Sequence, residues 1–257
     1  MLGRGFMESL KPIKVPIKAD SVLSPDFFYG DYTGIHFITS NDKHGRITFE
    51  NLDAVKISRG EFMPFEIDYS SVEKGSWVFE VENSSWKMER YAYESKHYGE
   101  SYEFGGNVED MLTDFTHYLF SFHDQFIEVI ARGFWFEESE QSLFKKELED
   151  HHPFSPLPTN HYEELIVKSL RCQIRKNPKS QEQLEHDAQF CSQTLCEFAL
   201  ELDGEAMVSH TVSLFYRDGR LITALRSALG RQELVYEGFV SLDTFIPYME
   251  KYIEDLH

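Results

Sequence analysis

Apolar and polar residues alternate along most of the first half of the chain. In 76–84, SWVFEVENS, the residues Trp77, Phe79 and Val81 fall on one side, and Glu80 and Glu82 on the other. A period of two with one oily side predicts a half-buried strand. GIHFITS (34–40) and GRITFE (45–50) flank NDKHG, which predicts a hairpin turn. DAVKISRG (53–60) and FEIDYS (65–70) add further strand-like runs. The stretch 91–106, YAYESKHYGESYEFGG, is polar, aromatic and broken by glycine, and is expected to be a long loop with one strand in it. NVEDMLTDF (107–115) predicts a short helix capped by Asn107.

The sharpest pattern is 117–137, HYLFSFHDQFIEVIARGFWFE. A hairpin turning at His123-Asp124 pairs Phe120 with Ile127 and Tyr118 with Val129, placing all four on one face. A one-residue slip would put Phe120 opposite Glu128, so even loop lengths are favoured. A helix over 127–134 ranks second, on the spacing of Ile127, Ile130, Ala131 and Phe134.

The pattern changes after 137. EESEQSLFKKELEDHH is expected to be a charged helical stretch, and three prolines follow within 153–158. Beyond it, Tyr162, Leu165, Ile166, Leu170 and Ile174 follow a helical period. In 181–202, Leu184, Cys191 and Phe198 recur every seven residues, as do Ala188, Leu195 and Leu202. The end of that segment, CEFALEL, also alternates like a strand. MVSHTVSLFY and RLITALRSAL surround Asp218-Gly219, a strong hairpin signal, and ELVYEGFV (233–240) predicts a third strand. SLDTFIPYMEKYIEDLH is expected to close the chain as an amphipathic helix capped by Ser241. The fold class is therefore α+β. A β-rich domain at 20–137, an antiparallel sandwich or half-barrel, precedes a linker at 138–160. An α+β domain at 161–257 then comprises a helical hairpin, a small antiparallel sheet and a C-terminal helix.

Composition narrows the function. The 257 residues carry a formal charge of −19, divided almost evenly as −10 over 1–137 and −9 over 138–257. A surface so acidic repels phosphate backbones and anionic lipid, which disfavours nucleic-acid and membrane partners. No apolar run reaches the ~18 residues that cross a bilayer, and the N-terminus lacks a secretory h-region. Met7 is an alternative start. Cys172, Cys191 and Cys196 match no zinc spacing and read as reduced thiols of a cytoplasmic protein. Common nucleotide, hydrolase and metalloprotease motifs are absent from the sequence, and no family resemblance extends over the chain. The first half has only the general outline of small bacterial β-rich domains.

Three groups have chemical potential. In the favoured hairpin register, His117 and Glu128 are diagonal neighbours on one face, with His123 and Asp124 in the turn. A histidine–carboxylate pair can do acid–base work or join a metal site. The same residues also suit the solvated face of a hairpin, with Asp124 present for turn chemistry. Glu149-Asp150-His151-His152, with His161 beyond, is a second histidine cluster, though adjacent residues rarely point into one coordination sphere. Lys168, Arg171 and Arg175 share a face if the segment is helical, and make a contact for an anion or a partner. The ordinary alternative is that they complement a helix C-terminus. Two functions compete. The favoured one is a non-enzymatic binding protein, without cofactor, whose acidic surface holds a basic protein in the manner of an inhibitor or immunity protein. The other is a metal-dependent hydrolase built on His117, His123, Asp124 and Glu128.

Overall fold

The structure is a computed structural model. It describes residues 7–30, 32–60, 62–67, 70, 72, 73, 75–99, 108–158, 162–167, 170–202, 206–227, 234–241 and 244. The fold is rich in sheet, with three antiparallel sheets and few helices. The chain divides into two units, Met1–Glu147 and Leu148–His257. No helix among the described residues is long and apolar enough to cross a membrane.

The first unit is built from strands β1 (Ser9–Pro12), β2 (Asp26–Phe28), β3 (Gly34–Ile38), β4 (His44–Glu50), β5 (Ala54–Arg59), β6 (Val78–Glu82), β7 (Thr116–Ser121), β8 (Gln125–Ala131) and β9 (Gly133–Ser139). Five of them form one sheet in the order β1-β6-β7-β8-β5, and four form another in the order β2-β3-β4-β9. The β7–β8 register pairs Tyr118 with Val129 and Phe120 with Ile127, as the alternation requires. Phe122 N–H donates to Gln125 O at 2.9 Å and closes the turn. The two sheets meet through aromatic edges. Phe120 lies 5.9 Å from Phe49 and 5.4 Å from Phe134, and Tyr118 lies 5.1 Å from Phe134. Such edge-to-face pairs add to the energy of simple burial. Trp77 precedes β6 and turns to this side, 5.1 Å from Phe37, whereas Phe79 and Val81 face the opposite way; the expected grouping of all three on one face does not hold. Only Arg132 separates β8 in one sheet from β9 in the other.

The far side of the five-stranded sheet is also apolar. Leu10, Phe79, Val81, Leu119 and Phe126 pack beneath Met63, Phe65, Ile67 and Val72. Ile130 packs with Val108, Met111 and Phe115, beside Trp86 and Tyr91. Trp86 and Tyr91 belong to helix α1 (Ser85–His97), which occupies part of the stretch expected to be loop. The reason is local: Ser84 caps the helix, Lys96 and His97 complement its last turn, and Gly99 at φ 57° ends it. Arg90 holds α1 against the sheet through Asp53 at 2.8 and 3.0 Å, and bonds Glu94 on its own helix at 2.6 Å. Asp53 is the chief cause of a strongly raised Arg90 pKa. Helix α2 (Asp110–Thr113) follows, with Glu109 rather than Asn107 at its cap position and no side-chain cap bond; Asn107 lies outside the described residues.

On the outer side of β4, Arg46 is fully buried. Its guanidinium grips Glu137 bidentately at 2.7 and 3.0 Å. It also donates to the carbonyls of Leu143 at 3.3 Å, Lys146 at 2.6 Å and Glu147 at 3.5 Å. These bonds give 140–147 an irregular path, and the charged helix expected after 137 does not form. His36 stands opposite Arg46 in the β3–β4 ladder, 5.5 Å from Phe144, with Nε2 buried and unbonded.

The second unit holds a six-stranded sheet in sequential order. Its strands are β10 (Tyr162–Val167), β11 (Leu170–Lys176), β12 (Gln193–Leu202), β13 (Ala206–Arg217), β14 (Arg220–Ser227) and β15 (Leu234–Glu237). The expected helical hairpin is therefore corrected. Residues 162–176 pair as a β-hairpin, with Leu165 opposite Cys172 and Ile166 opposite Arg171. Helix α3 (Gln181–Asp187) is short, capped by Ser180, and the chain returns to strand at Gln193. A helix has to bury its apolar side, and only Leu184 and the C-cap residue Ala188 do so here, against Leu214. The Asp218-Gly219 turn appears at φ 49° and 72°. Cys191 and Cys196 are buried and form no disulfide. Apart from Ser241 and Thr244, the expected closing helix lies outside the described residues.

Two outcomes follow. Arg46→Ala removes the guanidinium that bridges Glu137 and the three carbonyls, and it should lower unfolding free energy by about 3–5 kcal/mol in urea titration; the apolar pair Arg46→Met with Glu137→Leu should recover much of this. Burial, with Arg46 adding to it, lowers the pKa of His36. The unfolded chain then binds more protons than the native one as pH falls below the ordinary imidazole value. Stability contributed by neutral His36 is present above that pH and lost below it, down to the lowered native value. Denaturation series across this window should show a smaller pH slope in His36→Gln.

Candidate functional site

Residue parity on β7 decides where the candidate histidine goes. Tyr118 and Phe120 face the second sheet, so His117 and Leu119 face α1 and the covering loop. His117 is 2% exposed, between Trp86 at 5.0 Å and Phe65 at 5.7 Å, both edge-on. Its Nδ1 lies 2.8 Å from Ser84 Oγ, and its Nε2 lies 3.1 Å from Glu128 Oε2. Ser84 is brought there by the turn at Asn83, whose φ is 56°, directly after β6.

Ser84 Oγ accepts Lys87 N–H at 3.0 Å, as an N-cap oxygen does. The same hydroxyl can donate to His117 Nδ1 or accept from it, and the ring's tautomer sets which. The Nε2–Glu128 contact is close enough for an ion pair but poorly aligned for a hydrogen bond. At this distance Glu128 acts on the ring electrostatically. Glu8 adds a second cap, accepting from Ser85 N at 2.6 Å and Ser85 Oγ at 2.8 Å.

Serine, histidine and glutamate in a row have the composition of a nucleophile relay. The geometry differs in three ways. The serine meets Nδ1 rather than Nε2, its oxygen is engaged by a backbone N–H, and Trp86 and Phe65 flank the imidazole. Ser84 is itself 6% exposed. The arrangement fastens the first turn of α1 to β7 and β8.

The other candidates go elsewhere. His123 and Asp124 occupy the exposed hairpin tip, 2.7 Å from each other. His123 comes six positions after His117, about 20 Å along a strand. The four residues therefore form two separate pairs, and no group of three metal-ligating side chains occurs among the described residues. In the second cluster the adjacent histidines diverge. His151 is exposed and 3.2 Å from Glu149, while His152 is buried, with Nδ1 accepting Phe154 N–H at 3.1 Å. His161 lies outside the described residues, as does Lys168. Arg171 sits in β11, and Arg175 pairs with Glu197 at 2.9 Å beside a recess of about 320 Å³ that also involves Gln173 and Thr211. The helix face expected for these cations is replaced by a strand.

Sequence reasoning missed Ser84, Trp86 and Phe65. The signal for Ser84 was its place as a helix cap, hidden because 85–97 was read without a helix. A double-mutant cycle tests the link. Ser84→Ala and His117→Ala should each destabilise the unit, Ser84→Ala by about 1 kcal/mol. Their combination should cost less than the sum, because they share one bond. No protein-family model, curated protein or solved structure matches the chain.

Proposed function

We propose that this chain is a non-enzymatic binding protein whose acidic surface holds a basic protein partner, as an inhibitor or immunity protein does. The observation that carries the reading is the charge of −19. Ion pairs such as Arg46–Glu137, Arg90–Asp53, Arg175–Glu197 and Lys179–Asp187 remove one charge of each sign, so they leave the acidic excess facing solvent. Such a field speeds encounter with a cationic surface and rejects polyanions. Exposed apolar residues supply contact area beside it. On α1, Met88 and Tyr93 are 51% and 46% exposed, next to exposed Glu89, and Tyr98 at its C-cap is 51% exposed. Tyrosines of this kind are common anchors in interfaces.

The reading also gains from what happens to the hydrolase residues. His117 and Glu128 are engaged at the start of α1, away from His123 and Asp124.

Affinity capture from lysate on the immobilised chain tests the proposal. Basic proteins should be retained at about 50 mM salt and released by about 500 mM, where the screening length falls to a few ångström. Retention of nothing at low salt would sink it. A stoichiometric metal in untagged protein, lost in His117→Ala together with a hydrolytic activity, would favour the hydrolase instead.

A further inference from the structure

In a chain dominated by acid, strand β5 carries only positive charge. Its only charged residues are Lys56 and Arg59, and neither has a salt-bridge partner among the described residues. Lys56 Nζ instead sits 3.9 Å over the Trp86 ring. β5 is also the edge of the five-stranded sheet: it pairs with β8 alone, and no backbone group bonds its other side among the described residues. Residues 56–59 are exposed, and Ile57 is 49% exposed. The strand is six residues long and contains neither proline nor glycine. A bare edge of that length is a template for another strand.

We infer that β5 is a docking edge for an extended acidic segment of another protein, added as a sixth strand. The register says what that segment must carry. Val55 pairs with Val129 and Ile57 with Ile127, on the apolar side that faces the second sheet. Lys56 pairs with Glu128 and Ser58 with Phe126, on the other side. An incoming strand therefore needs apolar residues opposite Val55 and Ile57 and a carboxylate opposite Lys56, an alternation of acid and hydrophobe. The lysine that guards an edge against unselective pairing turns away apolar and cationic strands and admits an acidic one. A second copy of this chain is a poor occupant, because two β5 edges would bring four cations onto one seam. The acid elsewhere does not forbid the contact, since charges more than ~8 Å away are largely screened at physiological salt. The inference is independent of the basic partner proposed above, and the failure of either leaves the other standing.

The probe is a labelled synthetic peptide of alternating valine and glutamate, titrated against the full chain by fluorescence anisotropy. A valine–lysine peptide is the control. The acidic peptide should bind and the lysine peptide should not. K56E/R59E, checked for an intact fold by thermal unfolding, should weaken the acidic peptide by about threefold or more, the scale of the one cross-strand pair reversed at Lys56. N-methylation along one edge of the peptide should abolish binding, because it removes the ladder donors. Equal binding of both peptides, indifference to K56E/R59E, or full binding of the methylated peptide would each overturn the inference. Concentration-dependent dimerisation of the unliganded chain, altered by K56E/R59E, would assign the edge to a second copy and overturn it as well.

Discussion

A sheet that is apolar on both faces must be covered twice, and the five-stranded sheet of the first unit is such a sheet. One face is met by the aromatic edges of Phe49 and Phe134, the other by α1, α2 and the loop carrying Phe65. Strands buried on both sides have little place for polar atoms unless these are bonded. This explains the chemistry around His117. An imidazole on the covered face needs partners, and the start of α1 and Glu128 supply them. The helix gains too, because it has few apolar residues with which to hold itself. Its attachment is largely polar, through Ser84, Arg90 and the Lys87 ammonium, which donates to the carbonyls of Leu112 and Phe115 at 2.8 Å each.

The same logic governs the charges. An isolated buried guanidinium would be very costly, so Arg46 is surrounded by a carboxylate and three carbonyls. Lys179 and Asp187 repeat the device on a smaller scale in the second unit, where Gln183 also donates to Asp187 at 2.6 Å. These pairs lend specificity to the packing around them. They contribute nothing to net charge, which is why so acidic a chain can still fold around buried cations.

Where the sequence was legible, two signals coincided. The hairpins at 117–131 and 210–225 combine strict alternation with turn residues, and their registers follow from those alone. The diagonal closeness of His117 and Glu128 was readable for the same reason; their third partner, Ser84, lies 33 residues upstream of His117 and required the tertiary fold. Where the signals conflicted, the reading failed. Residues 162–174 hold a run, Leu165-Ile166-Val167, that satisfies helix and buried-strand patterns alike. Cross-strand pairing with 170–175 settles it as strand. In 181–202 the seven-residue recurrence is partly coincidence: Leu184 lies on a helix and Ala188 caps its end, while Phe198 faces His210 in a ladder. Helix α1 was hidden for the opposite reason. A polar helix held by ion pairs leaves no apolar stripe to read.

The grip of Arg46 on 143–147 bears on how the gene should be dissected. A fragment ended at Glu137, where the charge pattern changes, would keep the carboxylate but discard the three carbonyls that complete the guanidinium's shell. Ending it at Glu147 keeps the whole cage. The practical edge of the first unit is set by one arginine in its fourth strand, ten residues beyond the point where alternation stops.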